Sequence, residues 1–517
     1  MVVSTQSTKT FRRRRDRILY YLCYNVIWMI ISREKKMQLY INTNDTIREN
    51  DTASVQAAVD LARENGIGKV IIPKMNIRTG RAEWIFTGTV RLPSNIEIVL
   101  DNCTLVMADD VVGGFFCSEN LFTDWGTDPS KKMCNIHIRG EGSPVLDGGK
   151  PTALNEETQA AMGIPVRLNS PIFFMNVEGF SVENISITHH RYWGMRFQFC
   201  SRGTVRNIFF DCCRDRRNQD GINLRNGCHD ILIENVSGQT GDDMIALSAI
   251  DREPTGVFKD YDTIVKDESW DIHDITVRNI SGAAILHPLV TLRNHNGAKI
   301  YNIHIENLKD TAETQPAYEE GNPWPHYDID GYVYGKRYGM VLIGSNTYYK
   351  TAAEHGDTYN ITVKDLYCTY SSAAVVLGST VKNLTVSNVH ATDKCRAILT
   401  TGLNDWGDDV LGVKLDDVIL DGVIFDCKQE NAAIIEFPYM REGDFIKRML
   451  VSNVVADGVD ILARVHKRSA VCDIKLGAAV SAPKKLLRVA PPEVKRSEIT
   501  YKPFCPNIIR PLRKTEF

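Results

Sequence analysis

Along residues 51–66, DTASVQAAVDLARENG, the apolar side chains Val55, Ala58, Val59 and Ala62 recur at i, i+3, i+4 and i+7. That spacing places them on one face of an α-helix. With Asp51 as N-cap and Gly66 as stop, an amphipathic helix is expected over 52–65. KVIIP (69–73) then reads as a short strand and VRLPSNIEIVLDNCTLVM (90–107) as a pair of strands. No second convincing amphipathic helix follows for several hundred residues.

One phrase returns instead, an alternating strand with Asn or Asp followed by an aliphatic residue. Its copies are FSVENISI (180–187), GTVRNIFF (203–210), HDILIENVSG (229–238), HDITVRNISG (273–282), KIYNIHIENL (299–308), YNITVKDLY (359–367) and VKNLTVSNV (381–389). The marker residues Asn184, Asn207, Asn235, Asn279, Asn307, Asp365 and Asn388 are separated by 23, 28, 44, 28, 58 and 23 residues. The short gaps are one unit; 44 and 58 are either two units or one unit carrying a loop. A leucine-rich repeat would need L-x-x-L-x-L, which is missing. A parallel β-helix fits, because each coil adds short strands to stacked parallel sheets. Asn at a coil corner tolerates left-handed geometry and can stack in ladders. The fold expected is therefore all-β, a right-handed single-stranded parallel β-helix with strands from about 69 to 460. The helix over 52–65 would cap the solenoid's open N-terminal edge. The organisation expected is an extension over 1–36, the β-helix over 37–478, and a basic, Pro-containing tail over 479–517.

The extension pairs FRRRRDR (11–17) with ILYYLCYNVIWMII (18–31). A basic run followed by 14 near-apolar residues resembles a signal-peptide core or anchor. Fourteen residues are few for a bilayer span, however, and no A-x-A site follows. The competing reading is upstream sequence translated from a start placed too early. The 13 scattered cysteines form no CxxC pair and read as buried reduced thiols, which points to the cytoplasm. Export or membrane attachment through residues 11–31 is the alternative location. A net charge of −3 over 517 residues argues against nucleic acid, which demands a dense basic footprint. No Cys/His cluster has metal-ligand spacing, and no cofactor is expected.

Two segments carry chemistry: NQDG (218–221) and GDDMIAL (241–247). Since 242 − 220 = 22, about one short repeat, Asp220 is expected to stack on Asp242 or Asp243 at the inter-strand spacing of about 4.8 Å. Singly, both segments are also good turn sequences. Stacked, three carboxylates cannot all ionise cheaply, so one pKa should rise. That is what an acid/base glycosidase needs, a proton donor for the leaving oxygen and a carboxylate to activate water.

NQDG followed one coil later by GDD resembles the polygalacturonases, glycoside hydrolase family 28, whose order is N-T-D-G, G-D-D, G-H-G, R-I-K. The likeness extends to NDTASVQAAVDLARENGIGKVIIP, to HIRGEGSPVLDGG (137–149) and to the strands over 170–208, and so covers about residues 44 to 400. It implies Asp242 as general acid, with Asp220 and Asp243 activating water and inversion at the anomeric carbon; Asn218 joins the substrate site. Gln219 replaces Thr, and both G-H-G and R-I-K are missing. His287 is the candidate for the first. Arg293, Lys336 and Arg337 are candidates for the basic residues that hold a galacturonate carboxylate. Trp193, Tyr192, Trp324, Tyr327, Tyr332, Tyr334 and Trp406 lie in turns and insertions where aromatic rings can stack on sugars. The partner expected is an acidic, pectin-like poly- or oligosaccharide; the oligomeric state is not readable. Two other readings stay open: a β-helix polysaccharide lyase or epimerase, and a non-catalytic carbohydrate-binding solenoid.

Overall fold

The computed structural model describes residues 39–489 except 110, 151–161, 165, 213–217, 251–262, 285–287, 296, 313–326, 330–331, 335–338, 345–352, 379, 393, 402–413, 428–431, 438–442, 460, 466–470 and 478–484. Its one α-helix among those residues is Asp51–Glu64. The N-cap is Asn50, whose side chain accepts from Ala53 N, and not Asp51. Asp51 is drawn into the core instead, where its carboxylate accepts from Arg78, Asn76 and Ile85 N. Val55, Ala58, Val59 and Ala62 are all buried. They close the first coil of the barrel as expected. No described helix is long and apolar enough to cross a membrane.

After the helix the described strands stack in coils, apart from a short antiparallel pair, Tyr327–Ile329 with Tyr332–Tyr334. One large parallel sheet and a second sheet of thirteen parallel strands run the length of the described chain. The large sheet carries the repeated phrase. Its strands pair in order, Val177–Thr188 with Ser201–Asp211, then His229–Thr240, Ile272–Ala284, Ile300–Asp310, Thr358–Cys368 and Val381–Thr392. Val236 is in register with Ile280, and Leu308 with Leu366. The gaps of 44 and 58 are therefore single coils with loops. The segment over 90–107 forms three strands, Val90–Leu92, Ile96–Asp101 and Thr104–Met107, where two were expected.

The marker residues are corners. All seven have φ between 53° and 60°, a left-handed geometry that costs most L-residues about 1–2 kcal/mol but suits Asn and Asp. Their side chains form a ladder. Asn207 donates to Asn184, Asn235 to Asn207, Asn279 to Asn235 and Asn307 to Asn279, each over 2.7–2.9 Å. Between the sheets, like residues stack on like. One column runs Ile172, Met195, Ile222, Ile245, Val290, Val341, Val375 and Leu399. Every member is fully buried, and burial of such a side chain is worth roughly 1.5–3 kcal/mol. Of the nine cysteines whose side chains are described, eight are buried. Burial pushes the thiols of Cys103 and Cys117 up to about 12.

Candidate active site

The site lies where coils enter the thirteen-strand sheet. Met195 is in register with Ile222, and Ile222 with Ile245. Two residues upstream in each coil stand Trp193, Asp220 and Asp243, which thus occupy equivalent positions in three consecutive coils. The coil between the last two is 243 − 220 = 23 residues, so Asp243, and not Asp242, is the counterpart of Asp220. Gly221 brings them together: its N–H donates to Asp243 O over 2.9 Å. A Cβ there would lie 2.4 Å from Met244 O, so only glycine permits the approach. Asn218, at φ 60°, turns the chain into this position.

Oxygen atoms of Asp220, Asp242 and Asp243 lie within 4.8 Å of one another. Among the described residues this is the one cluster of three acidic, His or Cys side chains so close. Each carboxylate is held differently. Asp243, fully buried, accepts from Arg293 Nη1 and from Thr291 Oγ1, both at 2.6 Å. A charge-assisted pair of that length favours the ionised form. Asp242 accepts from Asn218 N at Oδ2 and from its neighbour Asp243 N at Oδ1, both at 2.9 Å. It is the most accessible of the three, at 8 % against 4 % for Asp220 and 0 % for Asp243. Asp220 Oδ1 is buried with no hydrogen-bond partner.

The Asp220 carboxyl is held well above its ordinary 3.8. Burial is the largest cause and the charges of Asp242 and Asp243 come next, with Arg293 and Asn223 pulling the other way. The rise expected for one of the three carboxyls thus falls on Asp220. The two backbone N–H groups aimed at Asp242 are donors that stabilise a carboxylate. Hard oxygen donors of this kind suit a cation such as Ca²⁺, yet Arg293 and Thr291 already occupy both oxygens of Asp243.

Four residues around the site, Thr291, His190, Arg196 and Arg225, were not singled out from the sequence, and Arg293, expected to hold a substrate carboxylate, pairs with Asp243 instead. Thr291 and Arg293 sit on the strand Val290–Asn294, in register with Ala246 and Ser248 of Ile245–Ala249. His190 Nε2 donates to Asp220 O over 2.9 Å, and Gln219 Nε2 donates to His190 O over 2.7 Å. Burial lowers the His190 pKa to about 4, so the ring is neutral and acts as a fixed brace for the Asp220 turn. Arg196 and Arg225 are buried beside Trp193, their guanidinium carbons 5.0 and 5.5 Å from its ring centroid. Their signal was legible in principle: in MRFQ (195–198) and INLR (222–225) the second and fourth residues point away from the core. Trp193 also stacks on Tyr192, 5.0 Å between centroids. The structure thus brings Asn218, Asp220, Asp242, Asp243, Arg293 and Trp193 together. His287, Trp324, Lys336, Arg337 and Trp406 lie outside the described residues, as do the side chains of Tyr327, Tyr332 and Tyr334.

Residues 132–253 match the profile of glycosyl hydrolases family 28. No curated protein matches the chain. Among solved structures, a tailspike protein mutant of E. coli bacteriophage HK620 in complex with pentasaccharide is similar, with TM-score 0.56 and 12 % identity, covering 87 % of this chain and 78 % of that one. A hexasaccharide complex of a tailspike mutant of the same phage gives TM-score 0.55 over the same shares, also at 12 % identity. A hyperthermoactive exopolygalacturonase from Thermotoga maritima gives TM-score 0.47 and 15 % identity, covering 87 % and 91 %. At 12 % identity the likeness to the tailspike structures shows the fold alone, a shared parallel β-helix. Residues 132–253, which bear Asp220, Asp242 and Asp243, are thus similar to glycosyl hydrolases family 28, and the described chain has the parallel β-helix fold of the tailspike structures.

Proposed function

We propose that the protein is a glycoside hydrolase that cleaves an acidic, pectin-like polysaccharide by an inverting acid/base mechanism. The observation that carries this reading is the cluster of three carboxylates within 4.8 Å, one of which, Asp243, is paired with Arg293. Such a cluster retains a proton at pH values where an isolated carboxyl would lose it, and the proton belongs to the group as a whole. Asp242, the most accessible member, delivers it to the leaving oxygen. Once that proton has passed from Asp220 to Asp242, Asp220 and Asp243, the latter kept ionised by Arg293, hold and deprotonate the attacking water. Asp243 has both oxygens engaged and no exposed surface, so it is a poor nucleophile for a covalent intermediate. The oxygen separation is shorter than the roughly 6.5–9.5 Å of a two-carboxylate inverting site; with three carboxylates, two can hold the water while the third serves as acid.

The test is Asp242→Asn on purified pectic oligosaccharides, read as reducing-sugar release. General acid catalysis contributes on the order of 10²–10⁴ in rate, so activity should fall by at least that factor with the fold intact. The loss should shrink on an activated aryl glycoside. NMR of the first product anomer should show inversion. Retained activity in the variant would overturn the role of Asp242. A chelator-sensitive reaction yielding an unsaturated, ultraviolet-absorbing product would replace hydrolysis with lyase chemistry.

A further inference from the structure

Six of the fourteen large apolar side chains exposed among the described residues fall within 39–77: Leu39, Tyr40, Ile47, Leu61, Met75 and Ile77. Exposed apolar groups scattered singly are ordinary, but a concentration of them is not. This stretch is the N-terminal end of the solenoid. Ile41–Asn42 pairs with Lys69–Pro73, which pairs in turn with Ile96–Asp101. Asn44 ties the rim together: its Nδ2 donates to Met75 O over 2.8 Å, and its Oδ1 accepts from Ile77 N over 3.1 Å. Ile47 follows Thr46, whose hydroxyl donates to Ser54 O of the helix.

The turn that carries Ile77 is rigid. Asn76 is fully buried and donates to Asp51 Oδ1 over 2.8 Å. Its N–H donates to Arg81 O and its carbonyl accepts from Gly80 N, both at 2.8 Å, with Gly80 at φ 70°. Ile77, 61 % exposed, is thus held out in water and gains by transfer to an apolar phase. Residues 74–82 hold three cations, Lys74, Arg78 and Arg81, and no acid. Arg78 pairs with the buried Asp51. Lys74 and Arg81 are exposed and enter no ion pair among the described residues. The acids nearest in sequence, Asp45, Glu49 and Glu83, are exposed too, so the positive field belongs to the turn and not to the whole rim.

We propose that this end of the solenoid docks on an anionic lipid bilayer, with Met75 and Ile77 entering the interfacial layer and Lys74 and Arg81 on the headgroups. The chain upstream has matching chemistry. FRRRRDR (11–17) precedes the near-apolar run over 18–31, and SREKKMQ (32–38) adds three cations and one acid. From residue 31 to residue 39 is eight steps, at most about 29 Å of chain, so a run that enters the bilayer keeps the rim beside it. One weak membrane signal gives marginal, reversible binding and two together give stable attachment; the rim is the second. Each basic residue at an anionic surface adds to the attraction, which fades within a Debye length. Unpaired cations beside apolar tips suit headgroups better than a protein partner, whose interface core is depleted of charge. Four inter-strand steps separate Lys69–Pro73 from Ser201–Asp211, the strand before Asp220. At about 19 Å, docking leaves the carboxylates clear of the bilayer.

The experiment floats the full chain with vesicles of phosphatidylcholine alone or mixed with phosphatidylserine. The mixed vesicles should bind at least tenfold more tightly, and a roughly tenfold rise in ionic strength should remove most of that difference. Met75→Ser with Ile77→Ser should weaken binding to mixed vesicles roughly tenfold. Lys74→Gln with Arg81→Gln should weaken it by about the same factor and leave neutral vesicles unaffected. Ile424→Ser with Val455→Ser, comparably exposed on the C-terminal coils, is the control and should change nothing. If a rim variant does not fold, the unsubstituted chain still decides: mixed vesicles should slow tryptic cleavage after Lys74, Arg78 and Arg81, and cleavage at the same rate with and without them would refute docking. Binding to neither vesicle, equal binding to both, or rim variants that bind like the unsubstituted chain would overturn the proposal; in the last case the run over 18–31 acts alone. Self-association that the rim variants abolish in the absence of vesicles would overturn it in favour of a protein interface.

Discussion

Replacing Asp220 by Asn should stabilise the fold while abolishing hydrolysis, and the gain should depend on pH. The Asp220 carboxyl titrates well above 3.8 in the folded chain and near 3.8 once unfolded. Between those values the native state binds the extra proton, so stability falls as pH rises from 3.8 through the folded pKa. Holding that proton at pH 7 costs at most about 1.36 × (7 − 3.8), or about 4.4 kcal/mol. Ionising instead is no cheaper. Two carboxylates at or within 4.8 Å each repel a third charge by about 3.5 kcal/mol or more at an effective dielectric of about 20, before Arg293 returns part. Asparagine keeps the shape, carries no charge, and its amide can donate to Asp242 or Asp243. Urea unfolding of Asp220→Asn and the unsubstituted chain at about pH 7 should show the variant more stable by roughly 1–4 kcal/mol. At about pH 4 the two should coincide, since both then carry a neutral side chain. A variant less stable at neutral pH, or a gain of equal size at both pH values, would refute the proposed electrostatics.

Arg293→Gln should cost about 3–5 kcal/mol near neutral pH, because it strands the buried Asp243 charge. The loss should shrink in acid, where Asp243 protonates, and denaturant midpoints across pH measure both. Asn235→Ala should lose about 1–3 kcal/mol, from the left-handed corner and the hydrogen bonds to Asn207 and Asn279; Asn235→Gly, free of the φ penalty, should lose less, and equal losses would show that the corner is not strained. Gly221→Ala should lower activity more than it lowers the melting temperature, because a Cβ 2.4 Å from Met244 O moves Asp220 off Asp243.

Much of this protein is legible in its sequence because the repeated demands are local. A coil corner at φ near 55° accepts Asn, Asp or Gly whatever surrounds it, so Asn184 through Asn388 mark the coils from the text alone. The helix over Asp51–Glu64 follows in the same way from its apolar spacing, and the pairing of NQDG with GDD follows from adjacent corners. Tertiary structure decided what depends on loop length and on register to the residue. The coil between the motifs has 23 residues, which makes Asp243 the counterpart of Asp220 and leaves Asp242 nearest the surface. The partner of Asp243 is Arg293, 50 residues on, across a coil whose loop no local pattern measures. The proton's preference for Asp220 follows from burial and from an oxygen without a partner. Those are properties of the assembled cluster, and no single stretch of chain contains them.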